Sequence, residues 1–294
     1  MQVLPHVSRL GRRTATALGV LGAALALTAT SVGGASAAPR PDDPRPLHVK
    51  PGQAYMGVGA RIHEGVPAEE PPRGLLAPTG GVQGIDVSHW QGAINWTSVR
   101  NAGIQFAWMK ATEGTGYKDP RFNTNYPAAH AAGVIRGAYH FALPNASNGS
   151  TQAAYFATNG GGWSRDNLTL PGVLDIEHNP YGAMCYGLST TQMRTWINDF
   201  YTTYKARTSR DVVIYTTASW WNTCTGNWTG MSSKSPLWVA HWTSASSPTI
   251  PSGFPTWTVW QYTSTGSVSG VSGSVDRNQF NGSRDRLLAL ANNT

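Results

Sequence analysis

Val173-Leu174-Asp175-Ile176-Glu177 is an apolar run that ends in two acids. A β-strand sends successive side chains to opposite faces, so Asp175 and Glu177 point the same way. Val173, Leu174 and Ile176 mark the strand as buried. At a rise of about 3.3 Å per residue, same-face Cβ atoms stand roughly 6.5–7 Å apart. Like charges at that range oppose each other's ionisation, so one carboxyl is expected to keep its proton. Cleavage of a glycosidic bond uses such a pair: one acid protonates the leaving oxygen and one carboxylate stabilises the cationic sugar.

Two further strand-like runs carry an acid. Asp86 closes Val82-Gln83-Gly84-Ile85-Asp86, and Asp276 follows Gly273-Ser274-Val275. Strand and helix patterns alternate between them. Strands are expected at Ile104–Lys110, Val134–Phe141, Gly172–Glu177 and Val212–Thr216, and helices at Asn95–Ala102, Asn125–Ala132, Thr151–Thr158 and Thr190–Tyr204. In the last helix Met193, Trp196, Ile197, Phe200 and Tyr204 recur at helical spacing. The helices then stop: Leu237–Trp242 and Thr256–Tyr262 read as strands, with a short one through Val275 and a closing helix from Asp285 to Asn292. The fold class is α/β, a single TIM-like barrel of about five βα units followed by three strands with reduced helical cover. A doubly wound open sheet is the alternative, and in both, ligands sit at the carboxyl ends of the strands.

Asp86, Glu113, His140, Asp175, Glu177, Gln261 and Asp276 all fall at or just past such ends. Trp90, Tyr139, Trp242 and Tyr262 lie near them, and aromatic faces pack against sugar rings. His89, His140, His178 and His241 raise a metal site around Asp86 or Asp175, but none has the spacing of a known metal motif. No metal and no cofactor is expected.

The start of the chain reads as an export signal. Arg9, Arg12 and Arg13 precede an apolar stretch from Ala15 to Val32, and Ala35-Ser36-Ala37 offers small residues for cleavage. Arg12-Arg13 hints at twin-arginine export. The organisation is then a signal over 1–37, a pro-segment or linker over 38–81, and a catalytic domain over 82–294. The middle segment is rich in Pro, Gly and charge, and too poor in apolar residues to build a core. The protein is expected to be secreted, monomeric and without a stable membrane anchor. In an exported chain Cys185 and Cys224 are expected to bridge, closing a loop of about 40 residues for roughly 3–4 kcal/mol. From Val82 onward there are 14 Lys and Arg against 10 Asp and Glu, a mild excess that suits an anionic polymer. No basic cluster or nucleic-acid motif accompanies it, so nucleic acid is not an expected partner.

Six segments in order carry a resemblance to a known family. They are Gly84-Ile85-Asp86-Val87-Ser88-His89-Trp90-Gln91, Lys110-Ala111-Thr112-Glu113-Gly114, Gly137-Ala138-Tyr139-His140-Phe141, Leu174-Asp175-Ile176-Glu177, Trp260-Gln261-Tyr262 and Val275-Asp276-Arg277-Asn278. Together they resemble the Chalaropsis-type lysozymes of glycoside hydrolase family twenty-five, over Val82 to Thr294. The resemblance implies a flattened eight-stranded barrel that cuts peptidoglycan between N-acetylmuramic acid, including its 6-O-acetylated form, and N-acetylglucosamine, with retention of configuration. By the same resemblance Glu177 is the general acid and Asp175 the second catalytic carboxylate. Asp86 and Asp276 line the site, and Glu113, Tyr139 and Gln261 stand near the sugar. Whether Asp175 attacks the sugar or steers the substrate's acetamido group stays open. Two other classes compete: a metal-dependent polysaccharide deacetylase, and a non-catalytic binding relative, which would usually lose the acid that Glu177 retains.

Overall fold

β5 (Val173–Asp175) is buried on both faces, as a strand enclosed by a barrel and its helices must be. The structure is a computed structural model, described over residues 45–65, 78 and 80–294; the expected signal peptide lies outside the described residues. In chain order the elements are α1 (Val58–His63), β1 (Val82–Val87), α2 (Trp96–Asn101), β2 (Phe106–Glu113) and β3 (Tyr117–Lys118). Then follow α3 (Phe122–Ala131), β4 (Ile135–Phe141), α4 (Gly149–Thr158), β5, α5 (Thr190–Thr208) and β6 (Val213–Thr217). The last are α6 (Ala218–Thr225), β7 (Leu237–Ala240), β8 (Val259–Gly266), β9 (Val275–Phe280) and α7 (Arg284–Asn292).

Eight strands close on themselves in the order β1-β2-β4-β5-β6-β7-β8-β9, and β3 hangs outside on β2. Neighbours run parallel from β1 through to β8. β9 runs antiparallel to both β8 and β1 and completes the closed α/β barrel. Inside it, Phe106, Trp108, Tyr139, Val173, Tyr215 and Trp238 form one apolar cluster. The layer between barrel and helices is built around α5. That helix starts at a capping box between Ser189 and Gln192 and buries Met193, Trp196, Ile197, Phe200 and Tyr204. Their rings run into Phe156 of α4, with Phe156 and Tyr204 stacked at 5.6 Å.

Two sequence expectations need correcting. The helices do not stop after the fifth strand, because α6 follows β6 and supplies the fifth βα unit. Its eight residues are mostly Thr, Trp and other weak helix formers, so propensity hides it; Thr217 caps it and Trp220 and Trp221 bury it. Asp276 does not end a strand either. It is the second residue of β9, and reversed chain direction brings that strand's beginning to the end of the barrel where the parallel strands finish. Cys185 and Cys224 are bridged, with Cα atoms 5.4 Å apart, and tie the loop after β5 to α6.

Candidate active site

Asp86 and Asp276 are register partners across the β1–β9 ladder. One oxygen of Asp86 accepts the Gln261 amide at 2.9 Å and the Asn278 amide at 2.8 Å. Gln261 is fixed in turn by the Tyr215 hydroxyl at 2.8 Å and the Trp242 indole N–H at 3.0 Å, while the Trp238 indole donates to Asn278 at 3.0 Å. Each partner's remaining freedom is thereby removed, so the amides must face Asp86 as donors. Burial pushes the Asp86 carboxyl up to about 6, and these two amides hold it from rising further.

Asp175 ends β5, and the extended course continues, since Ile176 donates its N–H to the Tyr215 carbonyl at 3.0 Å. Glu177 therefore emerges beside Asp175. Burial and then the Glu177 charge push Asp175 well above the usual carboxylate range. Neither Asp175 oxygen has a hydrogen-bond partner among the described residues. Glu177 is pushed up to about 8 by burial, against the pull of three backbone N–H groups that it accepts. Tyr139 and Tyr215 stay protonated, because burial and the neighbouring acids both oppose loss of their protons. The end of the barrel thus holds four acids of raised or neutralised charge among fixed donors, an arrangement able to hold and release a proton near neutral pH.

Glu113, at the end of β2, pairs with buried Lys110 at 2.6 Å and accepts the Tyr181 hydroxyl at 2.7 Å. Trp90 is half-buried, on the single 3₁₀ turn that follows β1. Tyr262 is not brought to the acids. It packs against Trp260 at 5.9 Å in the layer beneath the helices and donates to Gln83 at 3.0 Å. The histidines scatter. His140 bridges Thr112 and Gln152 in the same layer, and burial lowers it to about 4. His89 faces Asp119, and His241 accepts the Thr249 N–H. Lys110, Tyr181, Tyr215 and Asn278 are site residues that the sequence reading passed over. Asn278 was legible, since alternation puts it on the face of Asp276.

Residues 45–64, expected as part of a pro-segment or linker, lie across this end of the barrel. Gly57 donates its N–H to Glu177 Oε1 at 2.6 Å, and Gly59 and Ala60 donate to Oε2 at 3.1 and 3.2 Å. Gly52 donates to Glu113 at 2.7 Å, and Lys110 donates to the carbonyls of Gly52 and Ala54. Trp90 donates its indole N–H to the Gln53 carbonyl at 2.9 Å. Arg45 forms a buried ion pair with Asp276, and Glu64 accepts from the Thr217 and Ser219 hydroxyls. Asp175, Glu177, Asp86 and Asp276 are left 0, 0, 1 and 3 % exposed. A groove of about 750 Å³, lined by Leu237, Trp257, Thr258, Phe280 and Arg286 among others, lies at the opposite end of the barrel by the starts of β7 and β8. It holds none of these acids.

Residues 85–271 match the family model of the glycosyl hydrolases family 25. Lysozyme M1 of Streptomyces globisporus is 67 % identical over 298 residues and spans the whole of both chains. The N,O-diacetylmuramidase of Chalaropsis sp is 42 % identical over 213 residues, 71 % of this chain and 99 % of that one. The crystal structure of a bacterial lysozyme from Streptomyces coelicolor shares 77 % identity with a TM-score of 0.72, over 74 % of this chain and 99 % of its own. A family GH25 lysozyme from Aspergillus fumigatus superimposes with a TM-score of 0.69 at 51 % identity. On the match of more than half its length, and on relatives this similar across their whole length, the chain belongs to the glycosyl hydrolases of family 25.

Proposed function

We propose that this chain is a secreted, monomeric lysozyme. It hydrolyses the β-1,4 bond between N-acetylmuramic acid, 6-O-acetylated or not, and N-acetylglucosamine in peptidoglycan. The observation that carries the reading is the pair Asp175 and Glu177 at one barrel end, joined there by Asp86 and Asp276, in a chain of this family. Glu177 protonates the glycosidic oxygen as it leaves, a role supported by its place beside the like charge of Asp175 at the end of β5. Asp175 has two uncommitted oxygens. They steer the substrate's own acetamido oxygen onto the anomeric carbon, and the ring so formed is opened by water. Asp86, fixed by Gln261 and Asn278, and Asp276 stabilise the positive charge that grows on the sugar. Glu113, Tyr139, Gln261 and Trp90 border the path of the glycan strand.

In this reading residues 1–37 are the signal, 38–81 a pro-segment and 82–294 the catalytic domain. The deciding experiment is mass analysis of fragments released from purified peptidoglycan by the mature form. Fragments with muramic acid at the reducing end are expected. Reducing-end glucosamine, or deacetylated but uncut strands, would overturn the reading.

A further inference from the structure

We propose that residues 45–64 are an intramolecular inhibitor, which seals the acid end of the barrel until an external protease cuts the chain between Glu64 and Val82. The proposal rests on the lysozyme reading of that end. A glycan polymer must reach Glu177 and Asp175 to be cut, and both are fully buried beneath this segment.

The segment meets the chemistry of the site rather than the surface around it. Both oxygens of Glu177 accept its N–H groups, which occupy the lone pairs that a proton for the leaving oxygen would need. Glu113, Lys110, Tyr139 and Trp90 are engaged through Gly52, Gln53, Ala54 and Met56. Arg45 neutralises Asp276. Its far end is fastened outside the site by Glu64 on Thr217, and by His63, stacked on His178 at 5.2 Å.

The fit also depends on residues that a plain linker has no reason to keep. A Cβ on Gly59 would stand 2.0 Å from the His178 carbonyl oxygen, which is backbone and cannot swing away. Gly57 has φ at 85°, and a Cβ there would meet the Trp242 ring at 2.9 Å. Both glycines sit where the amides reach Glu177.

Tethering explains how the seal is kept and lost. While joined to the barrel the segment rebinds as an intramolecular partner at an effective concentration in the millimolar range. Hydrolysis of one peptide bond, giving a new carboxylate and a new amine, makes rebinding bimolecular, and dilution then clears the site.

The test compares the purified full chain, verified uncut by mass, with the full chain carrying Gly59→Val. A second variant, Arg45→Glu, places two acids against each other at the opposite end of the segment. Uncut wild type is expected to release reducing ends from peptidoglycan about 10²-fold more slowly than either variant, or than wild type after limited proteolysis. Equal rates for the uncut wild type and the variants would overturn the proposal. Amide exchange separates this from a failure of the lysozyme reading. Slow exchange at Gly57, Gly59 and Ala60 in wild type, lost in Gly59→Val, supports the seal whatever the substrate, and fast exchange in wild type overturns it.

Discussion

Gly57 donates its backbone N–H to Oε1 of Glu177 at 2.6 Å, across 120 positions of sequence. The contact joins a residue ahead of the barrel to the acid proposed to do its chemistry. On the proposed processing, the cut and uncut forms would differ at this acid itself, and assays of Glu177 belong on the cut form.

Glu177→Gln in the cut form keeps the side-chain shape and removes the transferable proton. The hydrolysis rate is expected to fall about 10²–10⁴-fold, with an unchanged melting temperature. A loss below tenfold would show that another group supplies the proton.

Asp175→Asn addresses the nucleophile. Whether Asp175 attacks the sugar or the substrate's acetamido group does so, the first product formed is the β-anomer, and proton NMR of the fresh digest is expected to show it. An initial α-anomer would mean that an activated water attacks directly. On the same scheme Asp175→Asn is expected to lower the rate by about 10²-fold or more while peptidoglycan binding persists.

Stability of the uncut chain is expected to fall as pH rises from about 4 to about 6, because Asp86 is lifted from 3.8 to about 6 by burial. Within that window the folded state keeps the proton that the unfolded state has lost, so each rise in pH favours unfolding, while below it both states are protonated and the full stability is present. Above it the buried charge costs roughly 3 kcal/mol. Asp86→Asn is expected to flatten this part of a melting-temperature profile, and an unchanged slope would count against the assignment.

Thiol titration of the unfolded, unreduced protein is expected to find no free thiol at Cys185 or Cys224. Replacing both with serine is expected to lower stability by about 3–4 kcal/mol, read as a reduced denaturant midpoint.

N-terminal sequencing of the active secreted form is expected to begin after Glu64 and no later than the start of the barrel. An active form that begins near Ala38 would contradict the processing scheme.

The barrel was largely legible because its strands are apolar runs closed by acids, as β5 and β1 show, and because α5 repeats its apolar residues at helical spacing. α6 was not, since two turns of Thr and Trp give no period to read. Strand direction at β9 was hidden because alternation is the same for either sense of the chain. Asp86, Asp175 and Glu177 fell at or just past the ends of their strands, whereas Gln261 is the third residue of β8, which runs on past the expected end at Tyr262 to Gly266, and Tyr262 beside it faces the helices instead. The place of residues 45–64 was not read from the sequence, and the expectation that they are too poor in apolar residues to join a core is corrected by the buried Ala54, Tyr55, Met56 and Val58. The segment reaches Glu177 and Glu113 through backbone amides, which every sequence possesses, while that short apolar run was masked by the Pro-rich, charged stretches around it.

β1 starts at Val82 and β9 finishes at Phe280, and these two residues face each other in the ladder. The sheet is sewn shut by strands from the two extremes of the barrel's sequence. A pairing of such long range carries a large loop-closure entropy and forms slowly. No nascent chain lacking its last strand can close the cylinder, and until it does, β1 and β8 each present a row of unpaired N–H and C=O groups. Such rows invite pairing with other chains. Closure thus has to wait until β9 has been made, and a chain that halts before Val275 is left with two aggregation-prone borders in place of a seam.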